Sequence, residues 1–303
     1  MNSGFIALVG LPNVGKSSLL NALAGSHLAG VSSRAQTTRK ALTAVVSHEE
    51  GQAVFVDTPG YLPGDELLTR SMRAALEASI KRSDAVFFVV DPRDPYPREK
   101  QPLEDLRTLL QQSGKKTLVV PNKMDLYPGQ DGVDRISKLG GIFPWDIVPV
   151  SAKKGSGIAL LLRFGIDFLP SGEPLYPEGQ LSDMPERFFV EEALREASLE
   201  VLREEVPHAT GTEVEEFKER EEDGPLYIRA VLYVEKTSQK KIWIGEGGAT
   251  IKTVGRKART RLEAFFGRKV YLELWVKVAK NWRRDENWLS RLGFEKADKE
   301  GKA

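Results

Sequence analysis

Gly10-Leu11-Pro12-Asn13-Val14-Gly15-Lys16-Ser17 is the stretch that decides the fold of this chain, because it reads G-x-x-x-x-G-K-S between a strand pattern and a helix pattern. The apolar run 5–9 precedes it, and the helical pattern 18–23 follows it. In this context the loop N–H groups and the helix N-terminus face an anion, so the motif predicts phosphate binding. Lys16 would contact the β- and γ-phosphates, and the Ser17 hydroxyl would bind Mg²⁺. A chance glycine turn is the alternative, and the full eight-residue match argues against it.

Length and composition limit the class of protein. The chain has 303 residues, of which 41% are hydrophobic, and this is enough for two domains with buried cores. The longest apolar runs, such as residues 85–90, are too short to span a membrane, and the N-terminus reads as a strand instead of a signal peptide. The absence of cysteine excludes disulfides and fits the cytoplasm, and with three histidines a histidine metal site is not expected.

The net charge of +1 conceals an uneven distribution along the chain. Residues 181–223 carry five basic and fifteen acidic residues, whereas residues 224–303 carry nineteen basic and nine acidic residues. A basic C-terminal block of this kind indicates a module that binds a polyanion. A basic surface that only improves solubility is the alternative.

Two polar segments of the first half carry side chains suited to a site for Mg²⁺ and phosphate. Residues 31–39 form a polar loop of the kind in which nucleotide switches place a threonine on Mg²⁺; Thr38 is the candidate and Thr37 the alternative. Asp57 follows the buried strand pattern 53–56, so its carboxylate can hold Mg²⁺ through water. Gly60, which closes Asp57-Thr58-Pro59-Gly60, can offer its N–H to a γ-phosphate because no side chain blocks the approach.

The segment Asn122-Lys123-Met124-Asp125 predicts recognition of guanine. The Asp125 carboxylate would accept hydrogen bonds from guanine N1 and N2, and with adenine, which lacks that donor pair, it would stay buried and unpaired. Asn122 and the Lys123 stem would support the base and the phosphate loop. Ser151-Ala152-Lys153 follows a strand pattern at 146–150 and would place a backbone N–H on guanine O6.

These five segments occur in order, each at a strand end, and residues 1–170 thereby resemble the P-loop GTPase family. The resemblance implies an α/β domain with a mostly parallel sheet flanked by helices, GTP or GDP as ligand, and Lys16, Thr38, Asp57 and Gly60 as the catalytic set. Ser17, Thr38 and Asp57 would bind the metal, Asp57 through water. The residues expected to contact the nucleotide are Gly10, Pro12, Asn13, Val14, Gly15, Lys16, Ser17, Ser18, Thr37, Thr38, Asp57, Thr58, Pro59, Gly60, Asn122, Lys123, Asp125, Ser151, Ala152 and Lys153.

One position departs from the Ras-like pattern. Tyr61 follows Gly60 at the place where Ras-like enzymes carry the water-orienting glutamine, so we expect slow intrinsic hydrolysis. The branch that the chain resembles has an apolar residue there. Some of its members use the position of Asn13 to hold K⁺, and we therefore expect K⁺ to supply positive charge to the transition state.

The second half has the element order of a nucleic-acid-binding module. Residues 171–181 form a Pro- and Gly-rich linker, and residues 182–303 form the second domain. Predicted elements are a helix at 185–205 with its acidic residues outward, strands at 212–220 and 226–235, a short helix, Gly245-Glu246-Gly247-Gly248, a helix at 249–266 and a strand at 270–278. This order resembles an α+β type II KH domain, whose G-x-x-G loop clamps about four single-stranded nucleotides beside an apolar groove.

The residues expected to contact RNA are Lys240, Lys241, Ile244, Gly245, Glu246, Gly247, Gly248, Lys252, Arg256 and Lys257. The lysines and arginines would supply positive charge around the loop. Glu246 stands where KH loops favour a basic residue, and it would repel a phosphate. We therefore expect contacts through backbone amides and flanking lysines.

A GTPase domain followed by a type II KH domain resembles the Era family of bacterial ribosome-assembly GTPases over nearly the whole chain, including Gln36-Thr37-Thr38-Arg39 and residues 235–241. The resemblance implies a switch that binds the 3′ region of 16S ribosomal RNA and assists assembly of the small ribosomal subunit, as a cytoplasmic monomer. Two alternatives stay open. One is an RNA-binding protein whose nucleotide site only stabilises the fold. The other is a membrane-associated signalling GTPase without a specific RNA target, with weak peripheral contact at the inner face of the membrane near Trp282 and Arg283.

Overall fold

The computed structural model describes residues 1–30, 39–93, 100–219 and 224–294, and within them the chain forms two sheets. The first sheet has the order β2-β3-β1-β4-β5. Its strands are β1 (Asn2–Val9), β2 (Leu42–His48), β3 (Gly51–Asp57), β4 (Ala85–Val90) and β5 (Lys116–Pro121). All neighbours are parallel except β2 and β3. Each parallel strand contains a continuous apolar run because helices cover both faces of such a sheet. The predicted α/β class is confirmed, as are these five strands, which the sequence pattern predicts at 5–9, 42–47, 53–56, 85–90 and 116–120.

Apolar spacing predicts first-domain helices at 18–23 and at about 66–83, 100–113 and 158–169, and the structure has these four and one more. They are α1 (Lys16–Ala24), α2 (Leu67–Arg82), α3 (Lys100–Ser113), α4 (Gln130–Gly140) and α5 (Ile158–Phe168). The sequence did not indicate α4, because only Gly132 and Leu139 of its eleven residues are buried. A helix with so narrow an apolar stripe has little periodic signal.

The predicted strand at 146–150 is wrong as a regular element. The segment runs parallel beside β5 but pairs with it at a single bridge, between Val119 and Ile147. Val119 N–H donates to Asp146 O at 2.9 Å, and Val150 N–H donates to Pro121 O at 2.8 Å. Pro121 has no N–H to return, so the ladder breaks there.

The second domain has the element order that the sequence predicts as far as the strand at 270–278, and a short helix that was not predicted follows it. Its elements are α6 (Glu186–Val201), β6 (Gly211–Glu219), β7 (Leu226–Val234), α7 (Thr237–Ile244), α8 (Ala249–Phe266), β8 (Val270–Val278) and α9 (Glu286–Arg291). β6 pairs with β7 antiparallel, and β8 pairs with β7 parallel at the sheet edge. The parallel pair requires a crossover, which α7 and α8 supply.

The outward orientation predicted for the acidic residues of α6 is wrong in part. Glu192 and Glu196 are buried, as is Arg195 between them. Arg195 Nε donates to Glu192 Oε1 at 2.9 Å, and His27 Nε2 of the first domain lies 3.2 Å from Glu196 Oε2. The polar face of α6 is buried because the first domain packs against it, and no local periodicity contains that information.

An apolar cluster also joins the two domains. Leu68 and Met72 of α2 pack with Val231 and Tyr233 of β7 and with Trp282. Since α2 follows the segment 57–60, the predicted phosphate site connects directly to the second domain. No helix in the described ranges is long and apolar enough to cross a bilayer.

Candidate functional site: a nucleotide pocket and a nucleic-acid groove

The loop between β1 and α1 has the backbone that its glycines permit. Gly15 has φ +95°, and a Cβ there would lie 2.3 Å from Asn122 Nδ2. A Cβ on Gly10 would lie 2.3 Å from Val89 O. Both positions therefore exclude a side chain, so the glycines of the motif are a steric requirement of this fold.

Lys16 lies inside that loop. Its Nζ donates to Gly10 O at 3.1 Å and to Leu11 O at 3.0 Å, and the residue is 6% exposed. Burial lowers the pKa of Lys16 to about 8, and the nearby Asp57 carboxylate opposes that shift. A buried cation that donates to two carbonyl oxygens is suited to an incoming anion.

Ser17 and Asp57 meet where β3 ends and α1 begins. Ser17 Oγ donates to Asp57 Oδ2 at 2.7 Å, and Asp57 is fully buried. Two adjacent oxygen ligands of this kind are suited to bind Mg²⁺. Thr58 Oγ1 donates to Leu8 O at 2.7 Å and fixes the segment that leads to Gly60, where a Cβ would lie 2.9 Å from Pro12 N. Thr37 and Thr38 lie outside the described residues.

Asn122 joins three separate segments of the site. Its Nδ2 donates to Val14 O at 3.0 Å, and its Oδ1 accepts from Ala152 N at 3.0 Å. Beside it, Ser151 Oγ donates to Asp125 Oδ1 at 2.6 Å. The phosphate loop, the segment 122–125 and the segment 151–153 thus converge over more than a hundred residues of sequence.

Lys123 spans the pocket. It has φ +65°, and its Nζ donates to Asp91 Oδ2 at 2.8 Å and to Asn13 O. Asp91 follows β4, and the Lys123 contact helps to lower the pKa of its carboxyl against the opposing effect of burial. The sequence analysis did not predict Asp91 as a residue of the site. Its position directly after a buried strand was the one feature of the sequence that could have indicated it. Lys153 is exposed.

The backbone of Tyr61 contacts the phosphate loop, whereas its side chain contacts residues outside that loop. Tyr61 N–H donates to Gly10 O at 3.2 Å, while its hydroxyl donates to Asp105 Oδ2 at 3.2 Å. The Arg73 guanidinium lies 5.7 Å from the ring centroid. Burial, and then the charge of Asp105, raises the pKa of Tyr61. Nothing in the sequence indicated Asp105 or Arg73, which belong to helices elsewhere in the chain.

The G-x-x-G segment turns sharply between α7 and α8. Gly245, Gly247 and Gly248 have φ of +70°, +55° and +81°. A Cβ on Gly245 would lie 2.3 Å from Thr250 Oγ1. Ile244, Glu246 and Lys241 are exposed around the turn, and Lys240 is half-buried.

Beside this turn, α8 and β8 enclose a groove of about 400 Å³. Its lining residues are Ile251, Lys252, Gly255, Arg256, Arg259, Leu272 and Leu274. Lys252 Nζ lies 3.4 Å from Gly247 O, at the mouth of the loop. Lys257 instead pairs with Glu200 of α6 at 2.9 Å, away from the groove. The groove leucines were not predicted, although the alternation of β8 places them on one face.

Comparisons with known proteins agree with this geometry. The profile of the family described as "50S ribosome-binding GTPase" matches residues 5–123, and that of the KH domain matches residues 205–283. GTPase Era of Carboxydothermus hydrogenoformans is 39% identical over 293 residues, covering 96% of this chain and 97% of its own length. GTPase Era of Lacticaseibacillus paracasei is 40% identical over 300 residues, covering 98% of each chain.

Two solved structures match nearly the whole chain. One is a tyrosine-to-alanine variant of Aquifex aeolicus Era bound to GDP and aluminium fluoride, with a TM-score of 0.92 and 34% identity, covering 97% of this chain and 100% of that one. The other is Era in complex with MgGDPNP and nucleotides 1506–1542 of 16S ribosomal RNA, with a TM-score of 0.91 and 34% identity, covering 97% and 99%.

Proposed function

The chain belongs to the Era family of GTPases, and on that premise we propose that it is a GTP-hydrolysing switch that binds the 3′ region of 16S ribosomal RNA through its KH domain and assists assembly of the small ribosomal subunit. The observation that carries the proposal is the convergence of the phosphate loop, the segment 122–125 and the segment 151–153 on Asn122. A pocket built in this way can read a phosphate chain and a base together. The relative bound to 16S ribosomal RNA supports the RNA target.

The nucleotide would be held at both ends by groups already positioned for it. Lys16 would exchange its two carbonyl contacts for phosphate oxygens, and the N–H of Gly60 would meet the γ-phosphate. Asp125, which Ser151 orients, would accept from guanine N1 and N2. Mg²⁺, when bound by Ser17, Asp57 and the proposed Thr38, would neutralise charge that develops on the phosphates.

Hydrolysis would be slow without a further cation or partner. Tyr61 has no side-chain amide to orient water as a glutamine would, and its hydroxyl is already engaged by Asp105. K⁺ beside Asn13 would add positive charge at the transition state. Equal turnover in potassium and sodium buffers would contradict this part of the proposal.

The KH domain would bind single-stranded RNA along the turn 245–248 and the groove between α8 and β8. Lys252 and Arg256 would meet phosphates, and Leu272 and Leu274 would contact bases. The contact of Lys257 with Glu200 makes it the weakest of the RNA-binding assignments. We assign residues 1–170 to the GTPase domain, 171–181 to the linker and 182–303 to the KH domain, and we expect a cytoplasmic monomer.

Binding of a short pyrimidine-containing RNA, measured with a GTP analogue and with GDP as salt is varied, tests the switch. We expect tighter binding with the analogue, and a salt slope that reflects neutralised phosphates. Binding that ignores the nucleotide would leave an RNA-binding protein without a switch. Liposomes of anionic lipid that outcompete the RNA would favour the membrane-associated alternative.

A further inference from the structure

The outer face of the second sheet carries exposed aromatic side chains that the nucleotide pocket and the KH groove do not use. Successive residues of a strand point to opposite faces. Leu272 and Leu274 of β8 face the helices, whereas Tyr271 and Trp275 face outward with 60% and 53% of their surface exposed. With the neighbouring Tyr227 of β7, they form what we call the aromatic face.

The aromatic face is held rigid by contacts within the sheet. The Tyr271 ring stacks on Tyr227 with centroids 5.7 Å apart and an interplanar angle of 14°. Glu273, between the two exposed rings, accepts from Trp275 Nε1 at 2.7 Å, from Arg229 Nε at 3.2 Å and from the Tyr227 hydroxyl. Rings fixed before binding lose little conformational entropy when a flat ligand stacks on them.

The charges around these rings are already matched. Arg229 pairs with Glu216 at 2.6 Å as well as with Glu273, and Lys277 pairs with Glu215 at 3.0 Å. The carboxylates near the rings therefore have cationic partners and repel a phosphate less than free ones would. A ligand that offers flat apolar faces fits this surface better than one that offers only charge.

The aromatic face and the KH groove lie on opposite sides of the same strand, β8. Leu272 and Leu274 line that groove from β8, and β8 is the edge strand of the sheet. A single-stranded RNA that leaves the groove has only to pass around the free edge of β8 to reach Tyr271 and Trp275. The Cα atoms of these two residues are about 13 Å apart, since they are separated by four residues of β-structure. A G-x-x-G loop clamps only about four nucleotides, whereas the RNA in the Era complex spans nucleotides 1506–1542.

We propose that the aromatic face is a second contact for single-stranded RNA, where bases beyond the KH groove stack on Trp275 and Tyr271. The inference rests on the proposed RNA-binding function and extends it to longer strands. Every base has a stacking surface, so this contact would add affinity without reading sequence.

The test compares RNAs of about four and about twelve nucleotides that share one pyrimidine-containing core, the shorter being enough for the G-x-x-G loop. Trp275→Ala and Tyr271→Ala should each weaken the longer RNA by at least about fivefold and leave the shorter RNA within about twofold. Phe164→Ala removes an aromatic ring with 39% exposure from the first domain and should change neither. Thermal unfolding of each variant checks that the fold is retained.

Fluorescence gives an independent readout. Of the five tryptophans, all within the described ranges, Trp275 is the most exposed, so the longer RNA should quench its fluorescence. Trp275→Phe should abolish that quenching and keep most of the affinity. The inference would be overturned if the alanine variants bound the longer RNA as tightly as the wild type does, or if they lost the same affinity for both RNA lengths. An effect of Trp275→Ala on binding of a protein partner alone would also overturn it.

Wild-type binding to the shorter RNA separates the two proposals. If the shorter RNA does not bind, the RNA-binding function is wrong and this inference falls with it. If the shorter RNA binds, and Trp275→Ala does not weaken binding of the longer RNA, only the proposed role of the aromatic face is wrong.

Discussion

Arg39 is the residue whose replacement best tests how the two domains are held together. It is 5% exposed, and its guanidinium reaches from the first domain into the loop between α6 and β6. Nη1 donates to Thr210 O at 2.8 Å, and Nη2 donates to His208 O at 2.7 Å and to Pro207 O at 3.3 Å. We predict that Arg39→Met destabilises the protein by separating these carbonyls from their donor.

The expected magnitude follows from these contacts. A hydrogen bond from a charged donor contributes about 1.5–3 kcal/mol net, so the two shorter bonds contribute roughly 3–6 kcal/mol. Burial, and then the nearby charge of Arg195, lowers the pKa of Arg39 to about 9, which reflects an opposing cost of holding the cation there. Methionine keeps much of the apolar stem but removes the Arg39 donor from all three carbonyls. We expect a net loss of about 2–4 kcal/mol in the free energy of unfolding.

Urea denaturation followed by tryptophan fluorescence measures this loss, because Trp243 and Trp282 are buried in the KH domain next to the interface. Arg163→Met is the matched control: Arg163 lies on α5, its side chain is 67% exposed, and its nearest carboxylate, on Glu50, is 4.0 Å away. The control should change stability by less than about 0.5 kcal/mol. If Arg39→Met behaves like the control, the guanidinium contacts do not hold the domains together.

Three further outcomes test the nucleotide and RNA sites. Burial lowers the pKa of Lys16 from 10.5 to about 8, so between pH 8 and 10.5 the unfolded chain binds more protons than the folded one, and the nucleotide-free protein should gain stability as pH rises. Urea denaturation at a series of pH values should show this rise in the free energy of unfolding for the wild type and not for Lys16→Met. An unchanged rise in the variant would contradict the burial argument. Asp125→Asn should move nucleotide preference from GTP toward XTP, whose C2 carbonyl suits an amide donor, and competition binding with an unchanged GTP preference would refute the role of Asp125. Gly245→Ala should abolish binding of the short RNA while circular dichroism stays native, because its φ is +70° and a Cβ would meet Thr250; normal RNA affinity would show that the turn can adapt.

The sequence by itself determined most of the elements and the identity of the nucleotide motifs. Helix α8 and strand β8 have the predicted bounds, because their apolar spacing is strong and because Gly248 and Gly267 flank the helix. The order of Lys16, Asp57 and Asp125 along the chain indicated a guanine-nucleotide site, since each follows a strand whose end lies at the same edge of a parallel sheet. These signals are local, or depend on a topology that allows few alternatives.

Only the tertiary structure decided which polar groups are buried and what they contact. Glu192 and Glu196 have the spacing of a solvated helix face, yet the first domain covers them. The bond between Asn122 and Val14 spans 108 residues, and the bond between Arg39 and Thr210 spans 171. Periodicity records how a segment would face a core, whereas burial depends on what packs against it. The segment that packs against it is distant in the sequence, and the local pattern indicates neither which segment this is nor which hydrogen-bonding groups it carries.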